Sequence, residues 1–338
     1  MSNVLFGTDG VRGTPGNFPL DQDTVFRFGF ALTRQFGGKA RFVIGRDTRG
    51  SGEVLEQQVA SGVKAAGGSS VSVGVCPTPG VAFLAGRYFS AGIVISASHN
   101  PFPDNGIKLL TATGEKASRR LESTIETLVA SAKDQEILRG LDGLVTSLAL
   151  SDEYIEHLVE TMDGLSSFEP FRIAVDCANG ATSHVAPLVF RRLGIPVLEL
   201  NTSPDGRNIN LGCGSTHPEG LRRAVVENGC RLGFAFDGDG DRVIMVDDRG
   251  NVIDGDGILL VCAKYLNSLG KLTSSAIVTT IMSNMGLELA LRAEGISTHR
   301  CPVGDLNVLE EMRRRDVRLG GEQSGHVIFS DLLPTGDG

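Results

Sequence analysis

The stretch Arg231-Leu-Gly-Phe-Ala-Phe-Asp-Gly-Asp-Gly-Asp-Arg242 joins a short apolar run to three carboxylates at alternate positions. The apolar half reads as a strand, and the polar, glycine-containing half reads as the loop that ends it. Alternate side chains of an extended segment or tight turn point the same way, so Asp237, Asp239 and Asp241 can converge on one point. Three like charges that close together need a cation. Carboxylate oxygens ligate hard divalent ions, Mg²⁺ or Ca²⁺, and Gly238 and Gly240 let the backbone fold around something small. An EF-hand also opens Asp-x-Asp-x-Asp, but here Arg242 stands where its sixth-position glycine belongs and Asp248 where its bidentate glutamate belongs. A strand, not a helix, precedes the run. A purely structural Gly/Asp turn is the plainer alternative; a Mg²⁺-type site with open coordination is the favoured reading.

The same design, an apolar run stopped by a polar, glycine-containing loop and followed by a helical pattern, recurs along the chain. It is seen at Phe42-Val-Ile-Gly-Arg-Asp-Thr-Arg-Gly-Ser-Gly52, at Gly92-Ile-Val-Ile-Ser-Ala-Ser-His-Asn-Pro101, at Ile173-Ala-Val-Asp-Cys-Ala-Asn-Gly180 and at Ile277-Val-Thr-Thr-Ile-Met-Ser-Asn284. Such alternation predicts an α/β fold of successive similar units, its sheets covered by helices and its function collected in loops at strand ends. Helices are predicted over 21–36, 53–66, 119–132, 218–228 and 257–269. Thr216-His-Pro-Glu219 has the spacing of a capping box for the fourth of these, with Gly229 closing it. The polar stretch 133–151 and the Asp/Gly-dense stretch 247–256 mark boundaries between three units, 1–148, 149–252 and 253–338.

Composition narrows the function classes. At 338 residues the chain has length for two or three domains, and its net charge of −8, with no basic tract, argues against nucleic acid as a partner. No 18-residue apolar run and no signal-peptide pattern occurs, so no membrane partner is expected. Six cysteines without Cys-x-x-Cys spacing read as reduced thiols in the cytoplasm.

Further loops carry chemistry. Ser98 and His99 lie just past an apolar run, where a hydroxyl can be presented to a cleft, but adjacent residues of an extended chain point apart and no Gly-x-Ser-x-Gly elbow is present. Phosphoryl chemistry fits better than a hydrolase triad, because a serine ester beside three carboxylates supplies a further oxygen ligand to the ion. Lys108, ten residues on, brings an ammonium toward the same loop, although a solvated lysine is an equal reading. Arg12, Arg46, Arg49 and Arg242 also stand in polar loops, each readable as a surface ion pair but together suited to an anionic substrate. Glu322, Gln323 and Ser324, in a glycine-flanked loop, offer acceptors and donors for sugar hydroxyls.

Taken in order, Phe6-Gly-Thr-Asp-Gly-Val-Arg-Gly13, Ser96-Ala-Ser-His-Asn-Pro101, Asp104-Asn-Gly-Ile-Lys108, Asp176-Cys-Ala-Asn-Gly-Ala181, Gly214-Ser-Thr-His-Pro-Glu219, Asp237 to Arg242 and Gly321-Glu-Gln-Ser-Gly-His326 resemble the α-D-phosphohexomutases over the whole chain. Two of the seven, at 214–219 and 321–325, are closer to the glucosamine branch than to the mannose or glucose branches. The resemblance implies mixed sheets covered by helices, with an active site in the cleft between units. It implies that Ser98 is a phosphoserine whose phosphate joins Asp237, Asp239 and Asp241 around one Mg²⁺ per chain. It further implies interconversion of glucosamine 6-phosphate and glucosamine 1-phosphate, an intramolecular phosphotransfer of the isomerase class, through a glucosamine 1,6-bisphosphate intermediate. His99 and Lys108 are then the residues for proton transfer or phosphate stabilisation, Arg12 and Arg46 line the cleft, and Glu322, Ser324, Arg242, Gly304 and Asp305 bind the substrate. The partner is a small phosphosugar, and a homodimer is compatible with the pattern.

Two departures from the family pattern bear on activity. The family continues into a fourth, C-terminal domain with a phosphate-binding loop, whereas this sequence stops at Thr335-Gly-Asp-Gly338, so impaired turnover is expected. Relatives carry an arginine where this chain has Leu306, which cannot supply that charge. The competing expectations are mannose or glucose phosphate as substrate, or a catalytically silent chain that still binds metal or phosphosugar.

Overall fold

In the computed structural model, residues 5–7, 9–132, 144–147, 149–162 and 171–338 are described. The first sheet contains β1 (Val11–Gly13), β2 (Arg41–Arg46), β3 (Ser69–Val75), β4 (Ala91–Ile95), β5 (Asn105–Thr111) and β6 (Leu144–Thr146), in the order β1-β5-β4-β2-β3-β6. It is mixed: β2 runs parallel to β3 and β4, while β5 runs antiparallel to β4 and β1. Its helices are α1 (Gln22–Gln35), α2 (Gly52–Ala65), α3 (Thr78–Tyr88) and α4 (Arg119–Ser131). The Asp21 side chain caps α1 by accepting from the Thr24 N–H at 3.0 Å. Helices α1 and α2 touch backbone to backbone, since a Cβ on Gly29 would fall 2.1 Å from the Val59 carbonyl and one on Gly62 2.0 Å from that of Phe26.

After α5 (Ala149–Glu160) comes a sheet of β7 (Ile173–Asp176), β8 (Val197–Leu200), β9 (Leu232–Phe236), β10 (Val243–Asp247) and β11 (Val252–Ile253), ordered β11-β10-β9-β7-β8, with α6 (Thr182–Arg192) and α7 (Glu219–Glu227). Following α8 (Gly255–Ser268), a third sheet of β12 (Ala276–Thr280), β13 (Ser297–Cys301), β14 (Leu319–Gly321) and β15 (Val327–Phe329) is ordered β13-β12-β14-β15, with α9 (Met285–Ala293) and α10 (Asp305–Arg315). The predicted α/β class with mixed, helix-covered sheets is the one observed. One apolar cluster holds the first sheet against α1 and α2. A second runs from β7 and β9 through α8 to β12 and α9, so the second and third sheets share a core. Of the stretch 133–151, residues 133–143 and 148 lie outside the described residues; β6 and the start of α5 lie within it. Among the described residues no helix is long and apolar enough to cross a membrane, and all six cysteines are free.

The expected capping box does not form. Pro218, not Thr216, takes the cap position of α7 and no side chain caps the helix; the preceding residues instead close a turn in which the His217 N–H donates to the Gly214 carbonyl at 3.0 Å. Gly229 ends the helix as expected, at φ +61° with the Cys230 N–H returning to the Val225 carbonyl.

Helix α5 also ties the first sheet to residues after β15. The Tyr154 hydroxyl, fully buried, donates to both carboxylate oxygens of Asp337, at 2.8 and 2.9 Å. Burial pushes the Asp337 carboxyl up to about 7, against the Tyr154 hydrogen bond, which lowers it. The native state therefore holds a proton that the unfolded chain has released: this contribution to stability is full below about pH 4 and gone above about pH 7. Because solvent still reaches part of Asp337, the whole effect is about 1–2 kcal/mol. Asp337→Asn is expected to flatten the fall in thermal midpoint between pH 5 and 8 and to raise the midpoint at pH 8. An unchanged pH profile in that variant would sink this account.

Candidate active site between the three sheets

Strand β4 ends at Ile95 and delivers Ser96, Ala97 and Ser98 to the edge of the second unit. Ser98 lies in the left-handed region, at φ +52°, with its N–H donating to the Ser96 hydroxyl at 2.9 Å. That turn overturns one expectation. The chain here is not extended, and the Ser98 and His99 side chains face each other with Oγ 3.3 Å from Nδ1. Nor is the hydroxyl openly presented, since Ser98 is only 1% exposed. Its Oγ donates to Asp237 Oδ2 at 2.6 Å, across 139 positions of sequence.

Asp237 to Arg242 form the loop of the β9–β10 hairpin, in which Phe236 pairs with Val243. Gly240 turns it at φ +72°, where a Cβ would be strained, and its N–H closes on the Asp237 carbonyl at 3.2 Å. The three carboxylates converge as the spacing predicted: one oxygen from each lies within 4.8 Å of the others, and all three residues are buried. The antiparallel register of β5 places Lys108 opposite Val94, next to this loop. Its Nζ donates to Asp239 Oδ2 at 2.7 Å and Asp241 Oδ2 at 3.1 Å. Thr78, at the start of α3, donates its hydroxyl to Asp239 Oδ2 and its N–H to the Asp239 carbonyl at 2.9 Å.

The electrostatics follow from burial and crowding. Burial first, then Asp241 and Asp239, push the Asp237 carboxyl well above the usual range. Asp241 is held below that range because Lys108, with Arg242, outweighs its burial. Burial works against the Lys108 ammonium, but Asp239, Asp241 and Asp9 keep its pKa well above the ordinary lysine value. One ammonium does not satisfy the cluster. Asp239 Oδ1 and Asp241 Oδ1 are buried with no hydrogen-bond partner, which is costly for a carboxylate. Hard oxygen donors with unsatisfied lone pairs on one point fit a divalent cation of the Mg²⁺ class.

Beside the cluster a cavity of about 470 Å³ opens, large enough for a phosphosugar. Lys108, Asp241 and Arg242 form its carboxylate-cluster side, while Gly304, Asp305, Glu322 and His326 come from the third unit. Arg242 Nη1 contacts His99 Nδ1 at 2.8 Å. Glu322 Oε1 accepts from the Gly304 N–H at 2.9 Å, so the expected sugar-binding loop and the 303–307 loop are joined. Leu306 lines the same cavity without charge.

The other predicted residues are placed differently. Arg12 pairs with Asp9 and donates to the Ala97 carbonyl, bracing the serine loop. Arg46, expected in the cleft, points instead to α2, with Nη2 2.7 Å from Glu53 and Nε 3.1 Å from Glu56, because a short turn puts both carboxylates within reach of the strand end. Ser324 is exposed, one turn from Glu322. Sequence reasoning missed Lys116, whose Nζ bridges Asp9 Oδ1 at 2.6 Å and Asp305 and so joins the first and third units. It also passed over Asp9 and His326, although both stand in the quoted motifs. His326 Nε2 accepts from the Gly336 N–H at 3.1 Å, which leaves Nδ1 facing Asp241 Oδ1 at 4.0 Å. Asp305 is carried down to about 2 by Lys116 in spite of its burial.

Three interlocked α/β units around a buried serine and a loop of three convergent carboxylates have the arrangement of a phosphohexomutase. Family models for the phosphoglucomutase/phosphomannomutase alpha/beta/alpha domains I, II and III match residues 3–136, 152–250 and 254–338, and the chain belongs to this family. Within it, the chain is 48% identical to the phosphoglucosamine mutase of Symbiobacterium thermophilum and 45% identical to that of Clostridium novyi, in each case over 99% of its length. It spans 76% and 75% of those two relatives. Among solved structures, a phosphoglucomutase/phosphomannomutase family protein from Burkholderia thailandensis superposes with a TM-score of 0.84 at 29% identity, over all of this chain and 74% of the other. The Aspergillus fumigatus N-acetylphosphoglucosamine mutase, solved with GlcNAc-6P and magnesium, shares the fold at a TM-score of 0.61 and 16% identity, over 96% of this chain and 67% of the other.

Proposed function

We propose that this chain interconverts glucosamine 6-phosphate and glucosamine 1-phosphate in the cytoplasm, with Ser98 carrying the phosphoryl group between turnovers. The observation that carries the reading is the 2.6 Å contact of Ser98 Oγ with Asp237, whose partners in the carboxylate cluster, Asp241 and Lys108, line a sugar-sized cavity. Asp237, Asp239 and Asp241, with an oxygen of phosphorylated Ser98, would hold one Mg²⁺, which when bound neutralises charge on the phosphoryl oxygens.

The chain's own groups account for the rest. A sugar hydroxyl attacks phosphorus, the P–Oγ bond of Ser98 breaks, and the hydroxyl proton ends on Oγ, giving glucosamine 1,6-bisphosphate and free serine. In the free serine that proton is given to Asp237 Oδ2 at 2.6 Å, while His99 Nδ1, 3.3 Å from Oγ, already accepts from Arg242 Nη1 at 2.8 Å. Lys108, held as an ammonium by two carboxylates, serves as positive charge for phosphate and not as a base. Arg242 adds a second cation at the cavity wall. The bisphosphate then turns over and returns its other phosphate to Ser98, which requires Glu322, Ser324, Gly304 and Asp305 to accept the sugar in both orientations.

The test is turnover of glucosamine 6-phosphate, mannose 6-phosphate and glucose 6-phosphate side by side, with Mg²⁺ and a trace of sugar 1,6-bisphosphate, together with intact-mass mapping of Ser98. The expected result is one phosphoryl group on Ser98 and a kcat/KM for the glucosamine substrate at least about tenfold above the others. Turnover of none of the three, or phosphate at a residue other than Ser98, rejects the reading; preference for mannose or glucose phosphate moves the chain to another branch.

A further inference from the structure

A non-glycine residue persists in the left-handed region only where its surroundings over-determine it, and Ser98 is such a residue. What over-determines it is its own carbonyl. The Ser98 oxygen accepts from Arg49 Nη2 at 3.0 Å and from Asn210 Nδ2 at 2.9 Å. The same two groups also grip the Asn100 carbonyl, at 2.7 and 3.1 Å, and Arg49 Nη1 takes the Asp104 carbonyl at 2.9 Å as well as that of Pro101.

Arg49 has no exposed side-chain surface, so its charge faces peptide oxygens and not substrate. Its Nε is oriented by Asp47 Oδ2 at 2.9 Å, which also accepts the Ser96 hydroxyl at 2.6 Å, and that hydroxyl in turn accepts the Ser98 N–H. Both backbone polar groups of Ser98 are therefore fixed through one buried network. Asn210 belongs to the second unit, and it brings the carboxylate loop into register with the serine. A Cβ on Gly238 would lie 2.5 Å from the Ser98 carbonyl and 2.8 Å from Asn210 Nδ2.

We infer that Arg49 and Asn210 are positioning residues for phosphoryl transfer, clamping the Ser98 carbonyl from the first and second units so that Oγ points at Asp237 and the carboxylate cluster. The inference rests on the phosphoserine reading of Ser98. Both side chains spend their donors on backbone carbonyls and neither is among the residues that line the cavity with Glu322 and Gly304, so loss of the clamp lowers the rate at Ser98 without weakening sugar binding.

Asn210→Asp is the sharpest probe, because it keeps the shape, and aspartate tolerates the φ of +58° found there. It replaces two N–H donors by an oxygen that repels the carbonyls. Transfer from glucose 1,6-bisphosphate to Ser98, followed by intact mass, and kcat for glucosamine 6-phosphate are both expected to fall by about 100-fold, the scale of a misplacement near 1 Å. KM stays within about threefold of wild type, since sugar contacts are untouched. Arg49→Lys keeps the charge but loses the planar fork and is expected to behave alike, and Arg49→Ala should regain rate with millimolar guanidinium but not with ammonium. Wild-type labelling and kcat in Asn210→Asp, or losses no larger than the unfolded fraction of each variant, overturn the inference. A wild-type chain that never labels at Ser98 overturns the phosphoserine reading itself, and the clamp's role with it.

Discussion

Ser98→Ala is expected to lower mutase turnover by at least about 10⁴-fold, the scale seen when the nucleophile of a catalytic unit is removed. With no Oγ there is no ester to form, and no neighbour substitutes: His99 and Asp237 are the groups in contact with that oxygen, and neither offers a hydroxyl in its place. The variant should still fold. It loses one buried hydrogen bond, worth about 1 kcal/mol, and leaves the carbonyl clamp intact. Ser98→Gly separates chemistry from conformation, because glycine occupies φ +52° without the cost alanine bears there. Glycine is therefore expected to be at least as stable as alanine by thermal melt and equally inactive. Turnover above about 1% of wild type in either variant, or recovery in glycine alone, would count against a covalent role for Ser98.

The α/β class and the carboxylate cluster were legible because both are local. A period-2 carboxylate run after an apolar strand needs only the hairpin of β9 and β10 to become a site. The long helices were legible for the same reason, since α1, α2, α4, α7 and α8 end within two residues of where their patterns predict. Helix α3 was not, because eight of its residues are buried and Pro79-Gly80 at its start reads as a turn. Helix α6 carries Pro187 in its interior, which removes a donor and breaks the pattern. The arginines misled most. Arg12, Arg46, Arg49 and Arg242 look alike in sequence, yet one braces a loop, one pairs with α2, one is sealed inside the first unit and one reaches the cavity. What sorts them is which carbonyls, carboxylates and ring nitrogens lie near after folding, and these belong to residues up to 143 positions away. Lys116 had no signal at all, because its partner Asp305 comes from another unit.

Lys108→Met is expected to cost the metal-free protein about 3–5 kcal/mol, the scale for removing one partner of a buried ion pair, and to lower the thermal midpoint in chelator by on the order of 10 °C. Methionine matches the lysine stem, so the core of β5 keeps its packing and the loss is electrostatic. The ammonium is 2% exposed and answers three carboxylates, Asp239, Asp241 and Asp9, beside that of Asp237. Without it, Asp241 keeps Arg242 at 4.0 Å as its nearby arginine, and one oxygen each of Asp239 and Asp241 is orphaned already. A divalent cation should then do more for the variant than for wild type. Binding at a hundredfold excess over Kd adds about 2.7 kcal/mol, and in the variant that ion also relieves repulsion which Lys108 relieves in the wild type. Melting both proteins in chelator and in Mg²⁺ gives the answer: the gap between them should narrow by roughly half with Mg²⁺. Equal midpoints in chelator would mean Lys108 does not balance the triad, and a gap that Mg²⁺ leaves unchanged would mean the three carboxylates are not the divalent site.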